Sequence, residues 1–389
     1  TSAMKSKLRF LLLAAVGATA LIIPANAAPK AACDLSDGDY IVSFKGGVEV
    51  DKELKNVHGR QVNPKHKYDK ALNGFAGKLS ADEACELKGN PRVEDVELDG
   101  IMSIDALTIQ STTPSWGLDR VDQNLLPLNN KYQYENTNMG TGVTAYVIDT
   151  GILTSHSDFG SRARTGYDAI TPTSPKVDCN GHGTHVAGTI GGTTYGVAKN
   201  VSLVAVRVLD CNGSGSTSGV INGINWVIGD HGVGVKAVAN MSLGGGASTA
   251  LDTAIRNLVT DGVTTVVAAG NSGRNAGNYS PARVSQAITV GASDRADNLA
   301  SYSNYGTIVD VIAPGTNITS DWFNGATNTI SGTSMATPHV AGVMALYLNS
   351  VPGTYSSVPT ALMTSKIVKL SSAAKSAGTT SNLIFKSNL

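Results

Sequence analysis

An aspartate, a histidine and a serine stand in contexts that suit joint chemistry. Asp149 follows an apolar, β-branched run, in Val147-Ile-Asp-Thr-Gly151. His182 lies in Asn180-Gly-His-Gly-Thr-His-Val-Ala-Gly188, where glycines permit close backbone approach just before a helical stretch. Ser334 lies in Ser331-Gly-Thr-Ser-Met-Ala-Thr-Pro-His-Val-Ala-Gly342, at the start of a helix whose Pro338 is expected to fit only within its first turn or so. A serine hydroxyl is a poor nucleophile until a neutral imidazole takes its proton. A carboxylate on the far ring nitrogen fixes the tautomer and stabilises the imidazolium. A helix start also aims backbone N–H groups at developing negative charge. Taken singly, Asp149 could be a turn acid, His182 a turn histidine and Ser334 a helix cap; all three contexts in one chain point to catalysis.

Such residues need elements to hold them. From about residue 140, short β-branched segments at 143–148, 201–209, 235–242, 264–269 and 287–290 are flanked by glycine, as buried parallel strands tend to be. Stretches at 183–191, 216–230, 249–260 and 334–350 have helical length and spacing. That alternation predicts an α/β fold, a central parallel sheet flanked by helices on both faces. In such a sheet the working site lies beyond the carboxyl ends of the strands. The three polar segments fall there.

Upstream the composition changes. Residues 1–29 carry Lys5, Lys7 and Arg9, no acid, and an apolar run over 10–23 followed by Pro24 and small residues, the pattern of a secretory signal cut near Ala27. The three residues ahead of Met4 read as an addition before the natural start. The apolar run is too short to span a bilayer comfortably, so no membrane attachment is expected after signal removal. Residues 36–105 read as a small α+β module: strands at 40–44 and 73–79, a helix over 50–59, a capping box at Ser80-Ala-Asp-Glu83 and a final strand over 93–104. The expected divisions are 1–28, 29–108 and 109–389, with no further domain after the strand-like 382–385. Thirty basic residues balance 30 acidic ones, so no net field favours nucleic acid. Export places the four cysteines in an oxidising compartment, where an even count favours disulfides. Cys33 and Cys85 fall in the charged segment, Cys179 and Cys211 in the glycine-rich one. Three connectivities are open, and pairing within each segment is the economical one. No CxxC pair suggests structural zinc.

Tyr146-Val-Ile-Asp-Thr-Gly151, Gly181-His-Gly-Thr-His-Val-Ala-Gly188 and Gly332-Thr-Ser-Met-Ala-Thr-Pro-His-Val-Ala-Gly342 occur in the chain order Asp, His, Ser. In them the sequence resembles the subtilisin-like serine proteases, and among these the proteinase K and aqualysin branch. The resemblance covers nearly everything from Trp116 to Leu389. It implies a subtilisin-like fold preceded by a small ferredoxin-like propeptide domain, and a secreted, monomeric serine endopeptidase made as a self-processing zymogen. Asp149 would orient the imidazole, His182 act as general base and then acid, Ser334 be acylated, and Asn271 in Val267-Ala-Ala-Gly-Asn271 donate to the oxyanion. Gly213, Ser214 and Gly215, with Ser242, Leu243 and Gly244, would be two edges that pair with an extended protein or peptide substrate. Ala268, Ala269 and Gly270 would line the first specificity pocket, whose lack of charge favours apolar or aromatic residues before the cut. The propeptide would act as intramolecular inhibitor and folding aid, its last strand ending near Ile104 and Asp105, with cleavage around 105–109.

The same resemblance implies structural calcium and no catalytic metal. Asp310 with the carbonyls of Ser285 and Ala287 would form one site, and Asp119, Asp122 and Gln123 a second; hard oxygens suit calcium. Cys179 and Cys211 match one disulfide of the aqualysin type. Gly277 and Ile308 stand where a second would have its cysteines, so lower stability than fully bridged relatives is expected. His182 and His185 have no acid between them, unlike the HExxH zinc pattern, and His185 and His339 are expected to pack inside helices. Two other classes fit less well. A catalytically silent peptide-binding protein has no need of Asp149, His182, Ser334 and Asn271 together, and an acyl-ester hydrolase has no need of extended substrate edges.

Overall fold

The structure is a computed structural model that describes residues 33–104, 107–108, 115–134, 139–351, 353–387 and 389. The signal-like segment and residues 105, 106 and 109 of the expected cleavage region lie outside the described residues. Packing groups the chain into two units, Thr1–Asp34 and Leu35–Leu389, and every described strand and helix belongs to the second.

The alternation downstream of residue 140 folds into a nine-stranded sheet. Its order is Met363–Thr364, Leu383–Ile384, Val311–Pro314, Ile288–Ser293, Thr264–Ala268, Lys236–Met241, Val143–Asp149, Ser202–Arg207 and Ala163–Asp168. Neighbours are parallel except at the first edge, where Met363–Thr364 runs against Leu383–Ile384. Both faces are covered, which is why these strands read as apolar runs. In Val143–Asp149, Val143, Ala145 and Val147 enter one core while Tyr146 and Ile148 enter the other, as a period of two requires. The first core holds the helices His182–Gly191 and Thr333–Ser350; the second holds Thr217–Asp230 and Thr249–Asp261. Ala163–Asp168 and Val311–Pro314 are not among the strands expected from the sequence. The first is a half-exposed edge containing Arg164 and Gly166, and the second is four residues ending in proline.

Upstream, His66–Tyr68, Gly74–Leu79, Gly38–Phe44 and Val93–Leu98 form a four-stranded antiparallel sheet in that order, the ferredoxin-like arrangement. Tyr40, Val42, Phe75 and Leu79 pack with Leu87 of the helix Ala81–Lys88, which Ser80 and Glu83 cap reciprocally. Ile41, Tyr68, Leu72 and Ala76 instead join the core of the helices Thr217–Asp230 and Thr249–Asp261. The composition step near residue 108 is therefore no break in packing.

Two expectations change. The helix over 50–59 shrinks to Val50–Glu53, because Val57 and Arg60 bridge across a turn in which His58 and Gly59 have φ of 49° and 80°. The strand over 93–104 breaks at Asp99-Gly100. There the Asp99 N–H bonds to the Asp39 carbonyl, the Gly100 carbonyl takes the Thr217 N–H, and Ile101–Ile104 passes into another sheet.

Candidate active site

Asp149 is the last residue of its strand and is fully buried. Its Oδ1 accepts the Thr150 N–H at 2.7 Å and pairs with His182 Nδ1 at 2.8 Å. His182 opens its helix after Gly181, where φ is 112° and a Cβ would stand 2.3 Å from the Trp322 ring, so only glycine fits. With Nδ1 donating to the carboxylate, the imidazole lone pair sits on Nε2, which is buried and has no hydrogen-bond partner. Ser334 is the second residue of the helix Thr333–Ser350, and its Oγ donates to the Ser242 carbonyl at 3.1 Å. The serine–imidazole bond is thus open. Catalytic hydrogen bonds often close only once substrate is bound.

Pro338 lies in the second turn of that helix, deeper than the sequence suggests it could. Proline lacks the N–H that would bond to the carbonyl four residues back, that of Ser334. Ser242 fills the gap: its Oγ donates to the Ser334 carbonyl at 2.8 Å and accepts from Asn240 Nδ2 at 2.9 Å. The missing bond is replaced from the residue between the strands Lys236–Met241 and Leu243–Gly246, and the replacement ties Ser334 to Ser242.

Asn271 Oδ1 accepts both the N–H and the hydroxyl of Thr333, each at 2.8 Å. Holding the oxygen there turns Nδ2 the other way, and Nδ2 is buried without a partner. A buried amide donor left free is costly unless a ligand uses it. Nothing in the spacing marks Asp178, yet it organises both loops that carry Asp149 and His182. Its Oδ1 accepts from Thr150 Oγ1, Asn180 N–H and Gly181 N–H, and its Oδ2 accepts from Thr184 N–H and Oγ1. Gly181 has no side chain to cap the His182 helix, so Asp178 caps it from outside the turn.

The strands Ser214–Ser216 and Leu243–Gly246 are edges with Ile101–Ile104 between them, antiparallel to both. Ser103 lies opposite Ser214 and Gly244, Met102 opposite Gly215, and Ile104 opposite Leu243. Gly213 sits in the preceding turn at φ 76°, and Ser242 directly precedes its strand. Ala268, Ala269 and Gly270 line a cavity of about 210 Å³ with Gly244, Gly245, Gly246, Tyr279 and Asn304, and no charged side chain enters it. Beyond it, Leu107–Thr108 pairs antiparallel with Thr327–Ser331, the strand that leads to Ser334.

The upstream module also grips the two helices of the second core. Asp99 accepts the Ser218 N–H at 2.6 Å and also bonds Ser218 Oγ; Glu97 accepts the Ala250 N–H at 3.2 Å and also bonds Ser248 Oγ. Each carboxylate thus sits at a helix N-terminus, where N–H groups lack partners and the dipole favours negative charge. Asn225 Oδ1 accepts three successive N–H groups, of Asp69, Lys70 and Ala71. These contacts join residues over 100 apart in sequence, and no local pattern announces them.

Cys179 is bonded to Cys211, Cα–Cα 5.0 Å, and Asn180 Nδ2 donates to the Cys211 carbonyl, fastening the loop before His182 to the Ser214–Ser216 edge. Cys33 and Cys85 are also disulfide-bonded. His185 and His339 are fully buried within their helices and bonded to the Ile318 and Met335 carbonyls; burial pushes them down to about 3 and about 4. Among the described residues no three His, Cys, Asp or Glu gather as a metal site. Asp310 accepts the Thr289 N–H at 2.8 Å, and burial pushes its carboxyl up to about 6. Ser285 Oγ bonds to Gln286, and Ala287 is buried. Asp119 accepts the Asn129 and Asn130 N–H groups, and Asp122 Oδ2 that of Gln133. Asp122 Oδ1 and Gln123 Oε1 are buried with no donor, two hard oxygens on adjacent residues that fit a calcium ion.

Comparison with known proteins places the chain among related families. Residues 140–383 match the model of the subtilase family, and residues 39–105 that of the peptidase inhibitor I9. An extracellular serine proteinase of Thermus sp. (strain Rt41A) is 59% identical over 300 residues, 76% of this chain and 71% of its own length. The alkaline serine exoprotease A of Vibrio alginolyticus is 54% identical over 284 residues, 72% of this chain, and the chain spans about half of that relative, 52%. The crystal structure of a cold-adapted subtilisin-like serine proteinase superposes with a TM-score of 0.66 at 50% identity, covering 71% of this chain and 99% of that one.

Proposed function

The chain belongs to the subtilase family and is a serine-type endopeptidase with an inhibitor-type propeptide ahead of it, and on that premise we propose how its own residues do the work. Asp149, His182 and Ser334 form the catalytic set. The Ser334 hydroxyl leaves the Ser242 carbonyl, gives its proton to His182 Nε2 and attacks the substrate carbonyl, while Asp149 stabilises the imidazolium. Asn271 Nδ2 and the Ser334 N–H receive the oxyanion. The imidazolium then protonates the leaving amine, and water reverses the sequence to free the acid. The observation that carries this reading is a pair of buried groups without hydrogen-bond partners, His182 Nε2 as acceptor and Asn271 Nδ2 as donor, the second on the residue that holds Thr333 next to Ser334.

Substrate backbone adds as a strand where Ile101–Ile104 lies, between Ser214–Ser216 and Leu243–Gly246, and an apolar or aromatic side chain fills the uncharged cavity. The propeptide is its own inhibitor because it occupies that place. The register also supports a cut. Gly245, Gly244 and Leu243 oppose Met102, Ser103 and Ile104, so the described strand ends at Leu243, next to Ser242, whose carbonyl accepts from Ser334 Oγ. The chain rejoins an edge at Leu107. The maturation cut falls around residues 105–109, just after that strand. The extracellular Thermus relative and the signal-like segment support export and action outside the cell, and the enzyme is proposed to act as a monomer. When bound, calcium would cross-link loops at Asp122 with Gln123 and at Asp310 with the Ser285 and Ala287 carbonyls, without entering the chemistry. The test is a serine-directed fluorophosphonate with intact-mass analysis: label mapping to Ser334 after loss of the propeptide supports the reading, and label elsewhere on an active enzyme refutes it.

A further inference from the structure

At the far end of the helix His182–Gly191 two carboxyl groups meet away from solvent. Asp158 follows His156 in a short helical turn and is 8% exposed; Asp321 ends the strand Ile318–Asp321 and is 0% exposed. A Cβ on Gly192 would stand 2.2 Å from Asp158 Oδ2 and 3.0 Å from Asp321 Oδ2, and one on Gly188 would stand 2.6 Å from Asp321 Oδ2. Only a helix end bare of side chains leaves room for the pair. Asp158 has donors: its Oδ1 takes the Thr194 N–H at 2.8 Å and its Oδ2 the Tyr195 N–H at 3.3 Å. Asp321 has none on either oxygen.

The titratable and charged neighbours are all engaged elsewhere. His156 Nδ1 accepts the Asp158 N–H, and its Nε2 bonds to the Ala326 carbonyl at 2.9 Å while standing 3.7 Å from Asp321 Oδ1. Arg162 donates to the Gly191, Val201 and Asp158 carbonyls and to Thr193 Oγ1. Lys199 donates to the Thr193 and Thr194 carbonyls. The Tyr195 phenol is pushed up, mainly by burial, and brings no charge. Two carboxylates this close, buried and with no cation on them, ionise together only at a high cost. An O–H from one to the other gives the orphaned oxygen its partner.

We propose that Asp158 and Asp321 hold one shared proton, a built proton-binding site at the base of the catalytic helix, whose release weakens the fold as the medium turns alkaline. Burial first, and then the Asp158 charge, push the Asp321 carboxyl up to about 8. An unfolded aspartate releases its proton near pH 4. Between these values the folded chain holds a proton that the unfolded chain has lost, so unfolding releases it. Stability from this group is greatest below about pH 4, declines up to about pH 8 and is level beyond.

The test uses the full chain carrying Ser334→Ala, which stops self-digestion, with and without Asp321→Asn. Asparagine keeps the volume and can donate to Asp158, but it does not titrate. The difference in melting midpoint between the two should be smallest near pH 4, grow in favour of the asparagine by several degrees up to about pH 8, and then stay constant. A difference of equal size at every pH assigns Asp321 a packing role alone and overturns the proposal. Should Asp321→Asn fail to fold, infrared spectra of the Ser334→Ala chain decide. A protonated-carboxyl C=O band that persists at neutral pH and disappears above about pH 8 supports the shared proton, and its absence at neutral pH overturns it.

Discussion

Asn271→Leu isolates the oxyanion donor. The substitution keeps the volume of the side chain and removes both its polar atoms, of which Nδ2 is the buried donor with no partner and Oδ1 the anchor for the Thr333 N–H and hydroxyl. Removing one such donor from a subtilisin costs about 10²–10³ in kcat, roughly 2.7–4 kcal/mol of transition-state stabilisation, and the same loss is expected here. Losing the anchor costs about 1–3 kcal/mol of stability, because the Thr333 donors are left facing apolar atoms. The two effects separate by measurement. Turnover of a peptide anilide, after removal of the propeptide by an immobilised protease, reports the first; thermal unfolding of the Ser334→Ala chain with and without Asn271→Leu reports the second. The KM should stay within a few-fold, since the ground-state carbonyl gains little from the donor. Thr333→Val is the control: it removes the hydroxyl that bonds Asn271 and Gly270 but leaves the Thr333 N–H on Oδ1, so it should cost stability and only a few-fold in kcat. A kcat for Asn271→Leu within about threefold of the parent would refute the assignment of Nδ2, given that a lost donor is worth orders of magnitude.

Ser334→Ala made in a protease-free host should remain at full pro-enzyme mass, while the parent should yield a mature N-terminus from a cut around residues 105–109, read by N-terminal sequencing; an N-terminus well outside that stretch would mean that the end of the strand Ile101–Ile104 does not set the cut. Glu97→Ala and Asp99→Ala each remove a helix cap worth about 1 kcal/mol or more, so each should shorten the lag before activity appears in the full chain, and the pair together more than either; an unchanged lag in the double variant would show that the caps do not hold the inhibitor. A calcium chelator should lower the melting midpoint of the Ser334→Ala chain, and Asp122→Asn should remove part of that response; a midpoint indifferent to chelator would dismiss calcium at Asp310 and at Asp122 alike.

Much of the site is legible in the sequence because its signals are local. A strand that ends in Asp149, a glycine-framed histidine opening a helix and a serine beside a helix start each lie within about ten residues, and parallel strands buried on both faces announce themselves as apolar runs. Even so, sequence patterning misleads where tertiary contact replaces a local bond. Pro338 fits a second turn because Ser242 donates to the carbonyl the proline leaves unbonded, and the strand over 93–104 divides because Asp99 and Gly100 are taken by another helix. Asp178 carries no mark, since five donors reach it only after two loops have met. The same holds for Asp321 beside Asp158, 163 positions apart in the chain and joined across the end of one helix. Residue type and short-range period determine which groups could react and which elements carry them. Which hydroxyl faces which carbonyl, which amide stays free and which two acids must share a proton are decided by packing between distant segments, where burial strips away water and makes every unpaired polar atom count.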